Sequence, residues 1–311
     1  MRVTVLEAAD LLRIGNVVGV ATETVYGLAA SLQYPVAIEQ IFTLKNRPAN
    51  NPLIIHVADI SQIEQFTESL SPEFLQLVAA FWPGPMTLVT EVLTEKIPTK
   101  VRAGLTTAAF RIPSHPLTLE LLRLTGPLVM PSANLSGKPS ATSREHVETD
   151  FGSDFPVLDG GTCFKGLEST ILYFNQERWI IIRQGSLSPA VFSPILGYTP
   201  LVEKPNSEER PICPGQLFRH YAPQAMLTLG KYFTGKEKQV IVGFSDRVYP
   251  VGSVVYALGE LSKPETIAQN LYAVLRQLDL DGVAEALVDD NFSSEGILAS
   301  VRERLTKAAA K

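Results

Sequence analysis

Apolar positions along this chain switch repeatedly between helical and strand spacing, and that alternation predicts an α/β fold. Glu7 to Ile14 reads as a short helix closed by Gly15, and Val17 to Ala21 as a buried strand. Pro35 opens a helix whose apolar side is Val36, Ile38, Ile41 and Phe42 and which ends near Lys45. Pro52 to Val57 is a strand. Ser71-Pro72-Glu73 carries the cap, the fixed φ and the acidic first turn of a helix start, and Trp82-Pro83-Gly84-Pro85 ends that helix. Strands follow at Met86 to Val92, Thr107 to Ile112 and Leu128 to Pro131. Ser169 to Phe174 and Trp179 to Arg183 read as a hairpin turning at Asn175-Gln176.

The texture then changes. Lys204 to Pro211 is polar, proline-bearing and aperiodic, the signature of an interdomain linker. Beyond it the alternation resumes, with strands at Val240 to Phe244, Ser253 to Leu258 and Ala284 to Val288. A helix is predicted over Pro264 to Asp279, with Ile267, Leu271, Val274, Leu275 and Leu278 on one face, and a last one over Glu295 to Ala309. The expected division is a first domain over 1–203, a linker over 204–225 and a small second domain over 226–311. The length of 311 residues suits two cores.

Composition narrows the function. With 45% hydrophobic and 19% charged residues the chain is an ordinary globular sequence. Its net charge of -5 and pI near 5.5 argue against a protein that coats nucleic acid electrostatically. Cys163 and Cys213 do not make a disulfide framework, and reduced thiols are expected. Glu7 follows Met1 too soon for a secretory leader, and no apolar run reaches membrane-spanning length, so a cytoplasmic location without membrane contact is expected. Gly137-Lys138 runs into Pro139, not into a Walker A hydroxyl, and no G-x-G-x-x-G, H-E-x-x-H or G-x-S-x-G occurs. The four histidines are scattered at spacings that suit no common zinc site.

Candidate chemistry gathers at strand ends. Thr22-Glu23-Thr24-Val25-Tyr26-Gly27-Leu28 offers two hydroxyls, a carboxylate and a phenol after a buried strand, and is equally compatible with a turn that satisfies its own backbone. In Lys45-Asn46-Arg47-Pro48 the proline extends the chain, so Lys45 and Arg47 are expected to converge as a polyphosphate site. A solvated basic helix end is the plainer alternative. Ser132-Ala133-Asn134-Leu135-Ser136-Gly137 is small and polar enough to bring backbone amides to an anion, or to be a surface loop. Gly166-Leu167-Glu168-Ser169-Thr170, Arg111-Ile112-Pro113 and Ile182-Arg183-Gln184-Gly185 add glycines and cations at further strand ends. Recurrence favours one shared concave site.

Those segments, in that order, resemble the YrdC-type threonylcarbamoyl-AMP synthase family. The match extends to Asn51-Pro52-Leu53 and Trp82-Pro83-Gly84-Pro85 and covers roughly the first two hundred residues. A linker with Pro214-Gly215 and His220-Tyr221-Ala222-Pro223 resembles the long, two-domain form of the family. Two positions depart from its pattern: Ala21 stands where a proline is usual, and Ala29-Ala30-Ser31 where an acidic residue is common.

The resemblance implies a twisted mixed sheet with helices followed by a small Rossmann-like α/β domain. It implies synthesis of threonylcarbamoyl-AMP and pyrophosphate from L-threonine, bicarbonate and ATP with magnesium, for modification of tRNA. On that basis Lys45 and Arg47 are the catalytic phosphate-holding pair. Pro52, Leu53, His56, Ser132, Asn134 and Arg183 lie on the nucleotide side. Thr24, Tyr26, Arg111 and Ser169 lie on the threonine side. Arg219, His220 and Tyr221 are expected to face the ligand as a lid, or else to glue the domains together. The product would pass to a tRNA threonylcarbamoyltransferase complex, with no stable nucleic-acid binding by this chain. An RNA-binding or chaperone-like protein is the alternative from another class. Carbamoyl transfer of the hydrogenase-maturation type would need zinc-finger-like and acylphosphatase-like domains for which the sequence has no segment.

Overall fold

A computed structural model of the chain describes residues 1–203, 212, 220–230 and 239–310. Two sheets organise it. The larger is built from β1 (Arg2–Val3), β2 (Val18–Val20), β3 (Gly27–Ser31), β4 (Ile54–His56), β5 (Met86–Glu91), β6 (Thr107–Arg111), β7 (Leu128–Val129), β8 (Val157–Leu158), β9 (Thr170–Phe174) and β10 (Trp179–Arg183). Its order is β1-β8-β2-β3-β7-β4-β6-β5-β9-β10. It is mixed: β4 pairs parallel with β6 and β5 with β9, while β2 with β3, β5 with β6 and β9 with β10 are antiparallel. The smaller sheet, β11 (Met226–Gly230), β12 (Val240–Gly243), β13 (Val254–Ala257) and β14 (Glu285–Asp289), has the order β11-β14-β12-β13 and is parallel throughout.

The helix predicted from Pro35 spans Pro35–Lys45, and the one predicted from Ser71 spans Pro72–Phe81, with the Ser71 side chain accepting from the Phe74 amide. The first helix starts earlier than its apolar pattern, at Val5, because Thr4 and Glu7 form a reciprocal capping box that makes Glu7 the third helical residue. β3 lies outside the strands read from the pattern. All five of its residues, Gly-Leu-Ala-Ala-Ser, are buried, so it shows no polar–apolar alternation. The helices Pro116–Thr125 and Arg144–Phe151 and strands β1, β8 and β11 were likewise not legible in the spacing. The hairpin β9–β10 turns where expected, with the amides of Glu177 and Arg178 donating to the Asn175 side chain.

Each sheet has its own core. Leu28, Ile41, Ile55, Leu88, Phe110 and Leu172 belong to one buried cluster of the large sheet. Val242, Val288, Leu271, Leu275 and Val301 centre the other, under the helices Pro264–Leu280 and Gly296–Ala309. Val25 and Leu167 reach from the first sheet's loops into this second core, so the two units share an apolar seam beside the strand ends that carry the candidate chemistry. Gly166 sits in that seam at φ +67, where a Cβ would meet the backbone of Ala268 and Gln269 at 2.4 Å. Glycine is needed there both for the left-handed backbone and for the approach of the helix.

Candidate active site

The strand ends converge on one cleft. Thr24 and Tyr26 line it from the loop between β2 and β3, and His56 from the end of β4. Arg111 lines it from the end of β6, Ser132 from the segment after β7, Ser169 from the start of β9 and Arg183 from the end of β10. Arg47 joins them from the turn after the helix Pro35–Lys45. Gly185 lets β10 leave the sheet tightly: a Cβ there would lie 2.3 Å from the Glu168 carbonyl. Thr22, Val25, Ile54, Met130 and Glu168, to which no role was assigned from sequence, also line the cleft.

The Thr-Glu-Thr segment is both turn and site. The Thr22 hydroxyl accepts from the Thr24 and Val25 amides at 3.1 and 3.2 Å and donates to the Val25 carbonyl at 2.6 Å. That frees the Thr24 hydroxyl to receive Arg111 Nη1 at 2.8 Å. Arg111 Nη2 meets Glu23 Oε1 at 2.6 Å, a pair in which both side chains are buried. Arg111 is thus oriented and largely neutralised by its own loop. Glu23 was the one carboxylate in the motif, and a buried strand before it was the signal that it needed a cation. The Tyr26 hydroxyl donates to Asp159 and Gly161, and burial, with the Asp159 charge, pushes the phenol far up, so it stays protonated.

Lys45 and Arg47 separate. Asn46 takes the left-handed conformation (φ 51), and the Arg47 amide turns back to the Phe42 carbonyl at 2.9 Å, so the chain is capped here and not extended. The expected alternation therefore does not occur. The Lys45 ammonium is buried and donates to the Ser132 and Asn134 carbonyls, the latter at 2.5 Å, holding the Ser132 segment from behind. Burial, then the Arg47 charge, lowers its proton affinity. Arg47 stays on the cleft, steadied by the Asn51 and Pro52 carbonyls at 3.3 and 2.8 Å. Burial and the Arg183 guanidinium lower its proton affinity too, so two like charges face the cleft together.

Arg183 is aligned by Ser169, whose carbonyl and hydroxyl accept Nε at 3.1 Å and Nη2 at 3.0 Å. His56 is neutral: burial and then Arg111 hold it well below its ordinary value. Pro52 contributes through its carbonyl, Leu53 is core, and the buried Asn134 amide nitrogen donates to the Leu135 and Lys138 carbonyls. These three stand behind the lining, not in it.

Glu168, one residue before Ser169, brings a carboxylate to the lining of the cleft. It accepts Ser140 Oγ at 2.7 Å, the Tyr272 hydroxyl at 2.8 Å and Arg304 Nη2 at 3.3 Å. Burial raises its proton affinity, but Arg304, Arg183 and Ser140 together hold it below the usual carboxylate range. Its partners Tyr272 and Arg304 come from helices of the second domain, which no local sequence signal could reveal. Tyr221 is buried in the same junction, its ring 5.4 Å from that of Tyr272 and 5.5 Å from the Arg304 guanidinium. His220 packs on Tyr221 at 5.5 Å, and Arg219 lies outside the described residues. Among the described residues no group of carboxylates, histidines and cysteines is placed to hold a metal ion, and Glu23 and Glu168 are both committed to arginines.

The family model described as "Telomere recombination", covering the Sua5, YciO and YrdC proteins, matches residues 10–185, and that described as "Threonylcarbamoyl-AMP synthase, C-terminal domain" matches residues 190–310. The chain belongs to the two-domain Sua5/YrdC family. It is 36% identical to the threonylcarbamoyl-AMP synthase of Bacillus subtilis, across 98% of this chain and 92% of that one. Against the synthase of Pyrococcus abyssi the identity is also 36%, over 97% and 93%. The crystal structure of the Pyrococcus abyssi Sua5 protein complexed with L-threonine superposes with a TM-score of 0.89 at 34% identity, covering 99% of this chain and 96% of that one. In this Sua5/YrdC protein the mixed ten-stranded sheet and the parallel four-stranded sheet therefore carry the two matched regions.

Proposed function

We propose that this protein is a threonylcarbamoyl-AMP synthase, joining L-threonine, bicarbonate and ATP and releasing pyrophosphate. The observation that carries the proposal is the convergence of Thr24, Arg47, Arg111, Ser132, Ser169 and Arg183 on one cleft, in a chain alike over nearly its whole length to proteins of that name.

In this reading the threonine amine captures carbon dioxide, and a carbamate oxygen attacks the α-phosphorus while pyrophosphate leaves. Carbamate and triphosphate repel one another, so positioning and fixed positive charge carry the catalysis. Arg47 and Arg183, two mutually repelling guanidiniums, are discharged by the phosphates. Arg111, already paired with Glu23, keeps donors aligned for the amino-acid carboxylate beside Thr24, Tyr26 and Ser169. Lys45 acts from behind, through the Ser132 and Asn134 carbonyls, with Asn134, His56, Pro52 and Leu53 shaping the nucleotide side. Magnesium enters with the triphosphate as part of the substrate.

We assign catalysis to residues 1–203 and treat 204–225 as a linker whose Arg219, His220 and Tyr221 close over the ligand, with 226–311 as the small domain. The product passes to a tRNA threonylcarbamoyltransferase complex in the cytoplasm. Among the described residues no helix is long and apolar enough to cross a membrane. An RNA-binding or chaperone role is not favoured, because a concave cleft that gathers Arg47, Arg111 and Arg183 on a chain of net charge -5 suits a small anionic ligand. Pyrophosphate release with each substrate omitted in turn tests the proposal. Release that depends on both L-threonine and bicarbonate is expected, and equal release without threonine would sink it.

A further inference from the structure

Arg276 lies on the helix Pro264–Leu280 of the second domain and is not among the residues lining the cleft. Yet every acceptor it has belongs to the first domain. Nε and Nη2 donate to the Pro139 carbonyl at 3.1 and 2.7 Å, Nη2 to Asp150 Oδ2 at 2.7 Å, and Nη1 to the His146 carbonyl at 3.4 Å. The Asp150 carboxylate has no solvent exposure. Its remaining donors are the Leu135 amide at 3.2 Å and Lys138 Nζ at 3.3 Å, both in the segment that begins with Ser132.

A buried carboxylate must be compensated, and one left without its partner neutralises or moves. Lys138 is 37% exposed and therefore screened, while Arg276 is 7% exposed, so Arg276 is the partner that holds Asp150 in place. The Ser132 segment is consequently held at two points. Lys45 grips its first half by the Ser132 and Asn134 carbonyls. Asp150 grips its second half by the Leu135 amide, and the Asn134 side chain ties the halves together through the Leu135 and Lys138 carbonyls.

We propose that Arg276 is a positioning residue for the nucleotide. Through Asp150 it fixes the Ser132–Lys138 segment, so the small domain sets ATP affinity although none of its described residues lines the cleft. The inference rests on the reading of that cleft as the ATP site.

Calorimetric titration of the full chain with ATP–magnesium, and separately with L-threonine, tests it. Arg276→Ala should weaken ATP about tenfold and leave L-threonine within about twofold, with KM for ATP rising and kcat nearly unchanged. Methylguanidinium should restore part of the ATP affinity, and amide exchange at Leu135 should accelerate while β9 amides stay as they were. Wild-type ATP affinity in a folded Arg276→Ala protein overturns the proposal, as does an equal loss for both ligands that methylguanidinium leaves untouched. If Arg276→Ala does not fold, Arg276→Lys keeps the charge and loses the fork; unchanged ATP affinity and unchanged Leu135 exchange in that variant also overturn it. A wild-type protein that binds no ATP strikes the proposed function instead, and the Leu135 exchange comparison still decides whether Arg276 holds the segment.

Discussion

Lys45 and Arg47 are two positions apart in sequence, yet they meet different demands. The Lys45 ammonium satisfies two carbonyls in a buried setting, while Arg47 keeps its guanidinium on the cleft. Truncating a donor that serves buried acceptors costs about 1–3 kcal/mol for each group left unpaired. Lys45→Ala is therefore expected to lose both ATP affinity and several degrees of melting temperature. Arg47→Ala is expected to lose about tenfold in ATP affinity with melting closer to wild type, since a charge-assisted contact is worth about 1.5–3 kcal/mol and Arg47 itself is only partly buried at the cleft, where water can replace it. Parallel melting curves and ATP titrations check this. A Lys45→Ala protein with unchanged melting and lost affinity would put its ammonium on the phosphates directly.

The helix Arg144–Phe151 makes its start depend on a neutral histidine. The Ser143 side chain accepts from the His146 amide, and the Thr142 amide donates to His146 Nδ1 at 3.1 Å, which requires that nitrogen to be bare. Burial, then the Arg276 charge, lowers His146 from 6.5 to about 4. The unfolded chain takes the proton near 6.5 and the native state only near 4, so stability falls as pH drops through that window. The loss is about 3 kcal/mol once both states are protonated. Thermal melts between pH 7 and 4.5 should show it, and His146→Gln should flatten the dependence; an equally steep slope in that variant would place the titration elsewhere. This helix also marks where the sequence ran out. The helices opened by Pro35, Pro72 and Pro264 were legible because a proline in the first turn and an apolar stripe coincide, with a Ser71 cap added in the second. Arg144–Phe151 is mostly polar with only Val147 buried, so it lacks a stripe. The cleft residues were legible because hydroxyls and cations recur at strand ends. Glu168 and Arg276 were not, because Tyr272 and Arg304 on one side and Asp150 on the other lie more than a hundred residues from them and are joined to them only by the packing of two domains.

The two domains meet around a charged and aromatic junction that also touches the cleft. Glu168 faces the site and is held by Tyr272 and Arg304, while Tyr221 stacks on Tyr272 under the Arg304 guanidinium. The Ala222 amide donates to the Gly137 carbonyl at 2.8 Å, which ties the end of the linker to the segment begun by Ser132. Tyr221 itself sits at φ 66, an uncommon conformation for a non-glycine residue that the surrounding contacts must maintain. Packing of this kind is what simple glue between domains would look like. It is also what a lid would use as its hinge side, because any movement of Tyr221 disturbs the groups compensating Glu168. The readings diverge when substrates bind. A mixed carbamic–phosphoric anhydride hydrolyses readily, so a linker that closes over it should exclude water and slow its escape. Hydrogen exchange at His220 and Tyr221 is then expected to slow when ATP and L-threonine are both present, relative to either alone. Tyr221→Ala is expected to release AMP without retained product, raising the ratio of AMP to threonylcarbamoyl-AMP while pyrophosphate release continues. Protection that is the same with and without substrates, together with an unaltered product ratio in Tyr221→Ala, would reduce these aromatics to interdomain packing.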